Sequence, residues 1–298
     1  MGSGLLKHKK ILVTGASSGI GWALAKAYAA RGATLVLLAR RRERLQRLAE
    51  EIEADGGMPP STVICDLSIK GEAKRAADEI LADHGGLDVL LNNAGGAVGG
   101  SVWAVADGDE ARSDFEVDLW SPLALIGAFV PEMRRRGSGT VINVTSLRQV
   151  FAWPSFGQNT AAQAALASIT ETLRLELEPF QVKVVEVIPG PIETAAQGPT
   201  KLIPGIIDAI HGRLGTATPE ELAEMVVAAT IDHRDRVFCP EESGRRMYEN
   251  PVQARADIAA DARRVQAELP ANEMVDTLVI GADHPLMLTA RQQWEDEQ

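Results

Sequence analysis

Short runs of aliphatic and β-branched residues alternate along the chain with longer segments whose apolar positions recur at helical spacing. These runs predict seven strands, at residues 10–14, 34–39, 61–65, 87–91, 140–145, 182–188 and 237–239. Strands that alternate with helices require right-handed crossovers and a parallel sheet with helices on both faces. We therefore expect an α/β fold of the Rossmann type, doubly wound, with a mostly parallel seven-stranded sheet.

The pattern changes after the last predicted strand. Residues 241–298 contain one amphipathic helix, at about 252–269, and no further strand pattern. We therefore divide the chain into a single domain over 8–240 and a C-terminal extension over 241–298. The pattern leaves open whether this extension packs on the domain, covers a pocket or reaches a partner.

Composition narrows the class of protein. With 45% hydrophobic and 24% charged residues, and no apolar run near the roughly 18 residues of a membrane helix, we expect a globular protein without a membrane span. The start lacks a signal-peptide core, which favours a cytoplasmic location. A net charge of −11 argues against nucleic-acid partners. Two separate cysteines and five scattered histidines predict core thiols and no metal site.

A glycine-rich turn, Thr14-Gly15-x3-Gly19-x-Gly21, lies between the first strand and a helix. In that context Gly15 permits the tight turn, Gly19 lets the backbone approach a pyrophosphate, and Gly21 lets the helix pack on the sheet. The helix N-terminus attracts the phosphates. The turn therefore predicts a dinucleotide site, and the alternative is three glycines in an ordinary turn.

The end of the second strand indicates which dinucleotide binds. A carboxylate commonly accepts hydrogen bonds from the ribose hydroxyls at this point, but this chain has Ala39, Arg40 and Arg41. A guanidinium suits the 2′-phosphate, so we expect NADP(H). The alternative is that these arginines simply begin a solvated helix.

Two further motifs extend the pattern: Asn92-Asn93-Ala94-Gly95 follows the fourth strand, and Pro189-Gly190-Pro191-Ile192-Glu193-Thr194 follows the sixth. Together with the glycine-rich turn they resemble the short-chain dehydrogenase/reductase family over about residues 8–240. The resemblance implies a substrate lid at about 195–217. It also implies cofactor contacts from Gly15, Ser17, Ser18, Gly19, Ile20, Gly21, Arg40, Arg41, Asp66, Leu67, Asn93, Ala94, Gly95, Gln163, Pro189, Gly190, Ile192 and Thr194.

The chain departs from the family at the positions that carry catalysis. In the family a Tyr donates the proton, a Lys lowers its pKa, a Ser polarises the carbonyl, and a helix Asn holds a water. The matching positions here are Asn159, Gln163, Ser146 and Asp118, so only the serine is retained. Amides do not titrate near neutrality, and loss of a general acid costs roughly 10²–10⁴ in rate. Ordinary carbonyl reduction is therefore expected to be slow.

Other polar side chains near the predicted pocket can take over part of the role of the missing Tyr and Lys. Asn159 can donate to an oxyanion and Gln163 can hold the ribose. Asp118 either acts as acid or base, with Glu193 and His211 as neighbours, or only holds a water as Asn would. Residues 153 and 156, a Trp and a Phe, line a substrate wall or pack in the core.

Three functions follow. We favour an NADPH-dependent reductase of an iminium or an activated enone, because such a small organic substrate does not need the Tyr proton. The second is a redox-neutral cyclase, dehydratase or aldolase with a structural cofactor. The third is a non-catalytic subunit that supports an active partner. By resemblance, the long helices at about 112–135 and 159–177 associate subunits into a homo-oligomer, dimer or tetramer, or into a hetero-oligomer.

Overall fold

The computed structural model describes residues 6–96, 98–152, 154–194 and 206–268. The strands in these ranges are β1 (Lys10–Thr14), β2 (Thr34–Ala39), β3 (Ser61–Ile64), β4 (Val89–Asn92), β5 (Gly139–Val144), β6 (Val182–Pro189) and β7 (Arg236–Cys239). The helices are α1 (Gly19–Ala29), α2 (Arg42–Ala54), α3 (Glu72–His84), α4 (Val102–Val105), α5 (Asp109–Phe115), α6 (Ser121–Arg136), α7 (Gly157–Leu177), α8 (Ile206–Leu214), α9 (Pro219–Asp232), α10 (Glu241–Glu249) and α11 (Pro251–Glu268).

The strands form one sheet in the order β3-β2-β1-β4-β5-β6-β7, and every neighbouring pair is parallel. One apolar cluster joins the sheet to α1, α2 and α9, and a second joins it to α3, α6 and α7. Because both faces are covered, the strands are almost continuously aliphatic. The structure confirms the Rossmann-type fold. The strand order reverses between β1 and β4, which places the ligand crevice at the loops that follow these two strands.

The long helix predicted at 112–135 is not regular, which corrects the sequence prediction. A π-helical turn, Glu116–Trp120, separates α5 from α6. π-turns insert one residue into an α-helix and are frequent at functional sites. Asp114 and Asp118 lie before and within this turn, and both are buried, at 2% and 1% exposed.

The described part of the C-terminal extension packs against the domain. Residues of α11 join an apolar cluster with the 3-10 turn Leu147–Val150 that follows Ser146. Arg213 on α8 forms ion pairs with Asp257 at 3.2 Å and Asp261 at 2.5 Å on α11. The sequence predicted α11 and missed α10. Among the helices in the described ranges, none is long and apolar enough to cross a membrane.

Candidate active site

The glycine-rich turn is shaped by close backbone contacts that only glycine permits. Gly15 has a φ of +67°, and a Cβ there would lie 2.8 Å from Ala94 Cα. A Cβ on Gly21 would lie 2.2 Å from the carbonyl oxygen of Gly15. Thr14 Oγ1 accepts hydrogen bonds from the backbone nitrogens of Asn93 at 2.9 Å and Ala94 at 3.0 Å. The loops after β1 and β4 are therefore locked together and form a preformed cradle.

The N-terminus of α1 opens into this cradle. Ser18 precedes the helix without a side-chain cap, and the first turn carries no acidic residue. The first-turn N–H groups and the helix dipole therefore favour an anion at this point. The loop after β6 lies opposite, because Thr194 Cγ2 would be 3.2 Å from a Cβ on Gly19. Gly190 anchors that loop by donating its N–H to Cys239 at 2.7 Å.

The two arginines after β2 occupy different places. Arg41 Nη2 donates to Ser17 Oγ at 3.0 Å and to Ser18 Oγ at 2.9 Å, so its guanidinium lies on the glycine-rich turn. Arg40 Nη1 lies 3.6 Å from Asp66 Oδ2, which partly neutralises its charge. Both residues were predicted as cofactor contacts, and Arg41 is the one whose guanidinium lies on the glycine-rich turn.

Asp118 accepts hydrogen bonds from the loop after β4 and from α7. Its Oδ1 accepts the backbone N–H of Gly96 at 3.0 Å, and its Oδ2 accepts Asn159 Nδ2 at 2.7 Å. The second N–H of Asn159 goes to Gly96 O at 2.9 Å. Both amide hydrogens of Asn159 are thus engaged, so the expectation that it donates to a substrate oxyanion does not fit this geometry. What remains on Asn159 is a buried acceptor, Oδ1, which has no partner among the described residues.

Asp114 is a second buried carboxyl in this cluster, and sequence reasoning missed it. Neither of its oxygens accepts a hydrogen bond of normal geometry from a described residue, although the Asn159 amide and the Val98 backbone N–H are close enough to lower its pKa. A Cβ on Gly96 would lie 2.5 Å from its Oδ1, so only glycine lets the loop after β4 come this close. Burial raises the pKa of Asp114 to about 6. Burial, together with the negative charge of Asp114, raises the pKa of Asp118 well above its ordinary value.

Arg148 supplies the positive charge of the cluster and was also missed. Its charge lowers the pKa of both Asp114 and Asp118, which offsets part of the effect of burial. Its Nε lies 3.3 Å from Ser146 Oγ and its backbone nitrogen lies 3.2 Å from the same atom, and both donate to it. Because the Ser146 oxygen is an acceptor in both bonds, its own hydroxyl hydrogen is left to donate to a substrate.

The model of the short chain dehydrogenase family matches residues 9–202. This chain belongs to that family.

Similar proteins fall in the same family. An uncharacterized oxidoreductase from Mycobacterium tuberculosis is 34% identical over 78% of this chain, and the match spans 66% of that protein, just under two thirds of its length. Two solved structures are similar along their whole length. One is a metagenomic short-chain oxidoreductase in complex with NADP (32% identity, TM-score 0.64, covering 78% of this chain and 95% of that one). The other is L-sorbose reductase from Gluconobacter frateurii with NADPH and L-sorbose (27% identity, TM-score 0.69, covering 80% and 97%).

The remaining predicted residues divide into two groups. Gln163 joins the carboxyl cluster: it is 7% exposed, its amide favours the ionised form of Asp118, and its Oε1 has no partner among the described residues. Glu193 does not join it, because it is exposed and accepts a hydrogen bond from Thr216 at 2.8 Å. Phe156 is half-buried under Arg148, whose guanidinium lies 5.3 Å from the ring centre. The predicted Trp at 153 and the first part of the lid, 195–205, lie outside the described residues.

Within the described ranges, no group of three or more His, Cys, Asp or Glu side chains is arranged to hold a metal ion. Cys65 and Cys239 are buried free thiols, as their positions at strand ends predicted. The polar side chains gathered in the described site are one serine, two carboxyls, one guanidinium and two amides: Ser146, Asp114, Asp118, Arg148, Asn159 and Gln163.

Proposed function

We propose that this chain is an NADPH-dependent reductase of an imine or an activated enone, and that it works without the Tyr and Lys of its family. The observation that carries the proposal is the pairing of two features. A complete dinucleotide cradle lies beside a catalytic region in which the titratable groups are buried carboxyls instead of a tyrosine.

The cradle supports NADP(H) as the cofactor. Arg41 lies on the turn that also presents the α1 N-terminus and the hydroxyls of Ser17 and Ser18. A charge-assisted contact to phosphate contributes about 1.5–3 kcal/mol. The solved relatives with NADP and NADPH support the same choice. The buried Gln163 Oε1, which has no donor among the described residues, is suited to accept a hydrogen bond from a ribose hydroxyl.

Neither tyrosine of the chain can take the family role. The sequence contains two, and Tyr28 is buried in α1, where its hydroxyl lies 2.7 Å from Thr230 Oγ1. Tyr248 is in α10 and packs at a tilt against Phe238, with ring centres 5.2 Å apart. These contacts support our proposal that the proton donor of this site is not a phenol.

The substrate class follows from the groups that remain. The bound cofactor supplies a hydride to an electrophilic carbon. Ser146 can donate its hydroxyl hydrogen to the substrate heteroatom, and the buried carboxyls with raised pKa values can supply a proton. An iminium already carries its proton. An activated enone gives an enolate, which accepts a proton only after hydride transfer. Both are less dependent on a strong acid at the carbonyl oxygen than a simple ketone is.

The experiment is a comparison of substrate classes at fixed NADPH. NADPH oxidation is followed by absorbance with a cyclic imine, an activated enone and a matched unactivated ketone. We expect turnover of the imine or the enone at least about 10²-fold above the ketone, which is the lower bound for loss of a positioned acid. The proposal is overturned if the ketone is reduced briskly, or if NADPH is not oxidised with any of the three compounds. Arg41→Ala is the control for cofactor dependence, because it should raise the KM for NADPH in any active case.

We also propose that subunits associate through α6 and α7. Trp120 and Leu175, on or beside these helices, are 54% and 69% exposed although both are large and apolar. Sedimentation of the purified chain should give a dimer or tetramer, and Leu175→Glu should weaken it. A monomer at micromolar concentration contradicts the proposal.

A further inference from the structure

The region around Asp114 and Asp118 contains more buried acceptors than donors. Four buried acceptor oxygens accept no hydrogen bond of normal geometry from the described residues: both oxygens of Asp114, Oδ1 of Asn159 and Oε1 of Gln163. Buried acceptors are unfavourable unless a donor reaches them. A carboxyl that keeps its proton changes one acceptor into a donor, so it reduces this imbalance without any new side chain.

The charges around the two carboxyls also favour one protonated carboxyl. Asp114 and Asp118 lie on one helical segment, on either side of the start of the π-turn, and both are buried. One cation, Arg148, acts on the two of them. Glu116 on the same segment is half-buried and is influenced by Lys70, while the α7 side chains that reach the pair, Asn159 and Gln163, are neutral amides. One guanidinium compensates one carboxylate, and a second buried carboxylate would lack a partner charge.

The hydrogen bonds divide unequally between the two carboxyls. Asp118 accepts from Gly96 and Asn159, which favours the ionised form. Asp114 accepts no hydrogen bond of normal geometry from a described residue, although the Asn159 amide and the Val98 backbone N–H also lower its pKa. Burial and the charge of Asp114 nevertheless raise the pKa of Asp118 well above its ordinary value. Since the two groups interact, the proton belongs to the pair and the titration is a property of both.

We propose that Asp114 and Asp118 form a carboxyl pair that holds one proton at neutral pH, that Arg148 compensates the ionised member, and that this proton is the one passed to the substrate. The inference rests on the proposed function and names the acid that acts in it. In the transfer, a carboxyl O–H bond breaks and an N–H bond forms on the imine nitrogen, or a C–H bond on the enolate carbon. The pair then carries two negative charges until a solvent proton restores it.

The pair is tested by its titration in the free protein, without cofactor or substrate. The infrared spectrum of the wild-type protein at pH 7 should contain a protonated-carboxyl band that disappears at alkaline pH. No variant is needed for this measurement, so it stands even if the substitutions below fail to fold. Absence of the band at pH 7 overturns the proposal.

Substitution then assigns the band. Protein labelled with 13C at the aspartate carboxyl carbon is titrated by NMR as wild type, Asp114→Asn, Asp118→Asn and the exposed control Asp83→Asn. Each of the two pair variants should remove the raised carboxyl step or lower its midpoint, because each removes the neighbouring charge. The control should leave it unchanged. If Asp114→Asn leaves the midpoint where it was, Asp118 titrates alone and the pair is refuted.

Turnover separates this inference from the proposed function. With NADPH and a cyclic imine, the wild-type rate should fall as the pH rises through the midpoint of the pair. If the titration step is present but no imine or enone is reduced, the proposed function fails and the pair stands. If turnover occurs and the rate does not follow the titration, the proposed function stands, and the role of the pair as acid is refuted.

Discussion

Replacing Asp114 by Asn should stabilise the protein, and more so at alkaline than at acidic pH. Burial raises the pKa of this carboxyl from an ordinary value of 3.8 to about 6. The folded state then binds more protons than the unfolded state between these two values. The free energy of unfolding therefore falls as the pH rises through that window, and the loss is complete above about pH 6. Asn has the same shape as the protonated acid and does not ionise, so it avoids the loss.

The size of the effect follows from the two pKa values. An acid with a pKa of 3.8 unfolded and about 6 folded loses about 1.6 kcal/mol of stability by pH 5 and about 3 kcal/mol by pH 8. The advantage of Asp114→Asn should therefore grow by about 1.4 kcal/mol between pH 5 and pH 8. Removal of the negative charge beside Asp118 acts in the same direction.

Urea unfolding followed by tryptophan fluorescence, at pH 5 and at pH 8, measures this difference. Asp83→Asn, which removes an exposed carboxylate from the end of α3, is the matched control and should show no comparable growth with pH. If Asp114→Asn is destabilising at pH 8, or if its effect is equal at the two pH values, the carboxyl is not held in the unfavourable environment that the structure describes.

Three further predictions concern the cofactor, the missing acid and the C-terminal extension. Arg41→Ala should weaken NADPH binding about 10- to 100-fold, measured by calorimetry, and should leave NADH binding nearly unchanged. Arg40→Ala should weaken NADPH binding less. If Arg40→Ala has the larger effect, Arg41 is not the residue that binds the phosphate at the glycine-rich turn. Asn159→Tyr combined with Gln163→Lys should raise the rate of ketone reduction above wild type. If the rate does not rise, the loss of the Tyr and the Lys does not by itself explain slow ketone reduction. Ile258→Ala should cost about 2–5 kcal/mol of stability in urea unfolding, because this α11 side chain is buried; a neutral result would show that the extension does not pack on the domain.

Much of the fold could be predicted from the sequence because the strands are buried on both faces and read as aliphatic runs. The fourth strand was placed too early, at 87–91 instead of Val89–Asn92. Asp88 just before the strand still exchanges backbone hydrogen bonds with Lys10 and Thr140, so the difference lies at the frayed start of the strand. The helix α10 was missed because its nine residues are largely polar.

The cofactor cradle was predictable because its residues follow strand ends in motifs of fixed spacing. The carboxyl cluster was only half predicted, since the resemblance drew attention to Asp118 alone. A signal for Asp114 was present: Ala111, Asp114 and Asp118 lie three and four residues apart, which is the spacing of one helix face, and all three are buried. Arg148 had no such signal, because its electrostatic effect on the carboxyls arises only once the chain is folded.

The central claim is that a buried carboxyl, and not a tyrosine, supplies the proton. It is tested most directly by the pH dependence of NADPH oxidation with a cyclic imine in wild type and Asp118→Asn. The account predicts that the wild-type rate is level at low pH and falls as the pH rises through the raised pKa of the pair. It also predicts that Asp118→Asn lowers the level rate by about 10²–10⁴ and removes the alkaline decline. An Asp118→Asn enzyme with the wild-type rate and the wild-type pH profile would contradict the account.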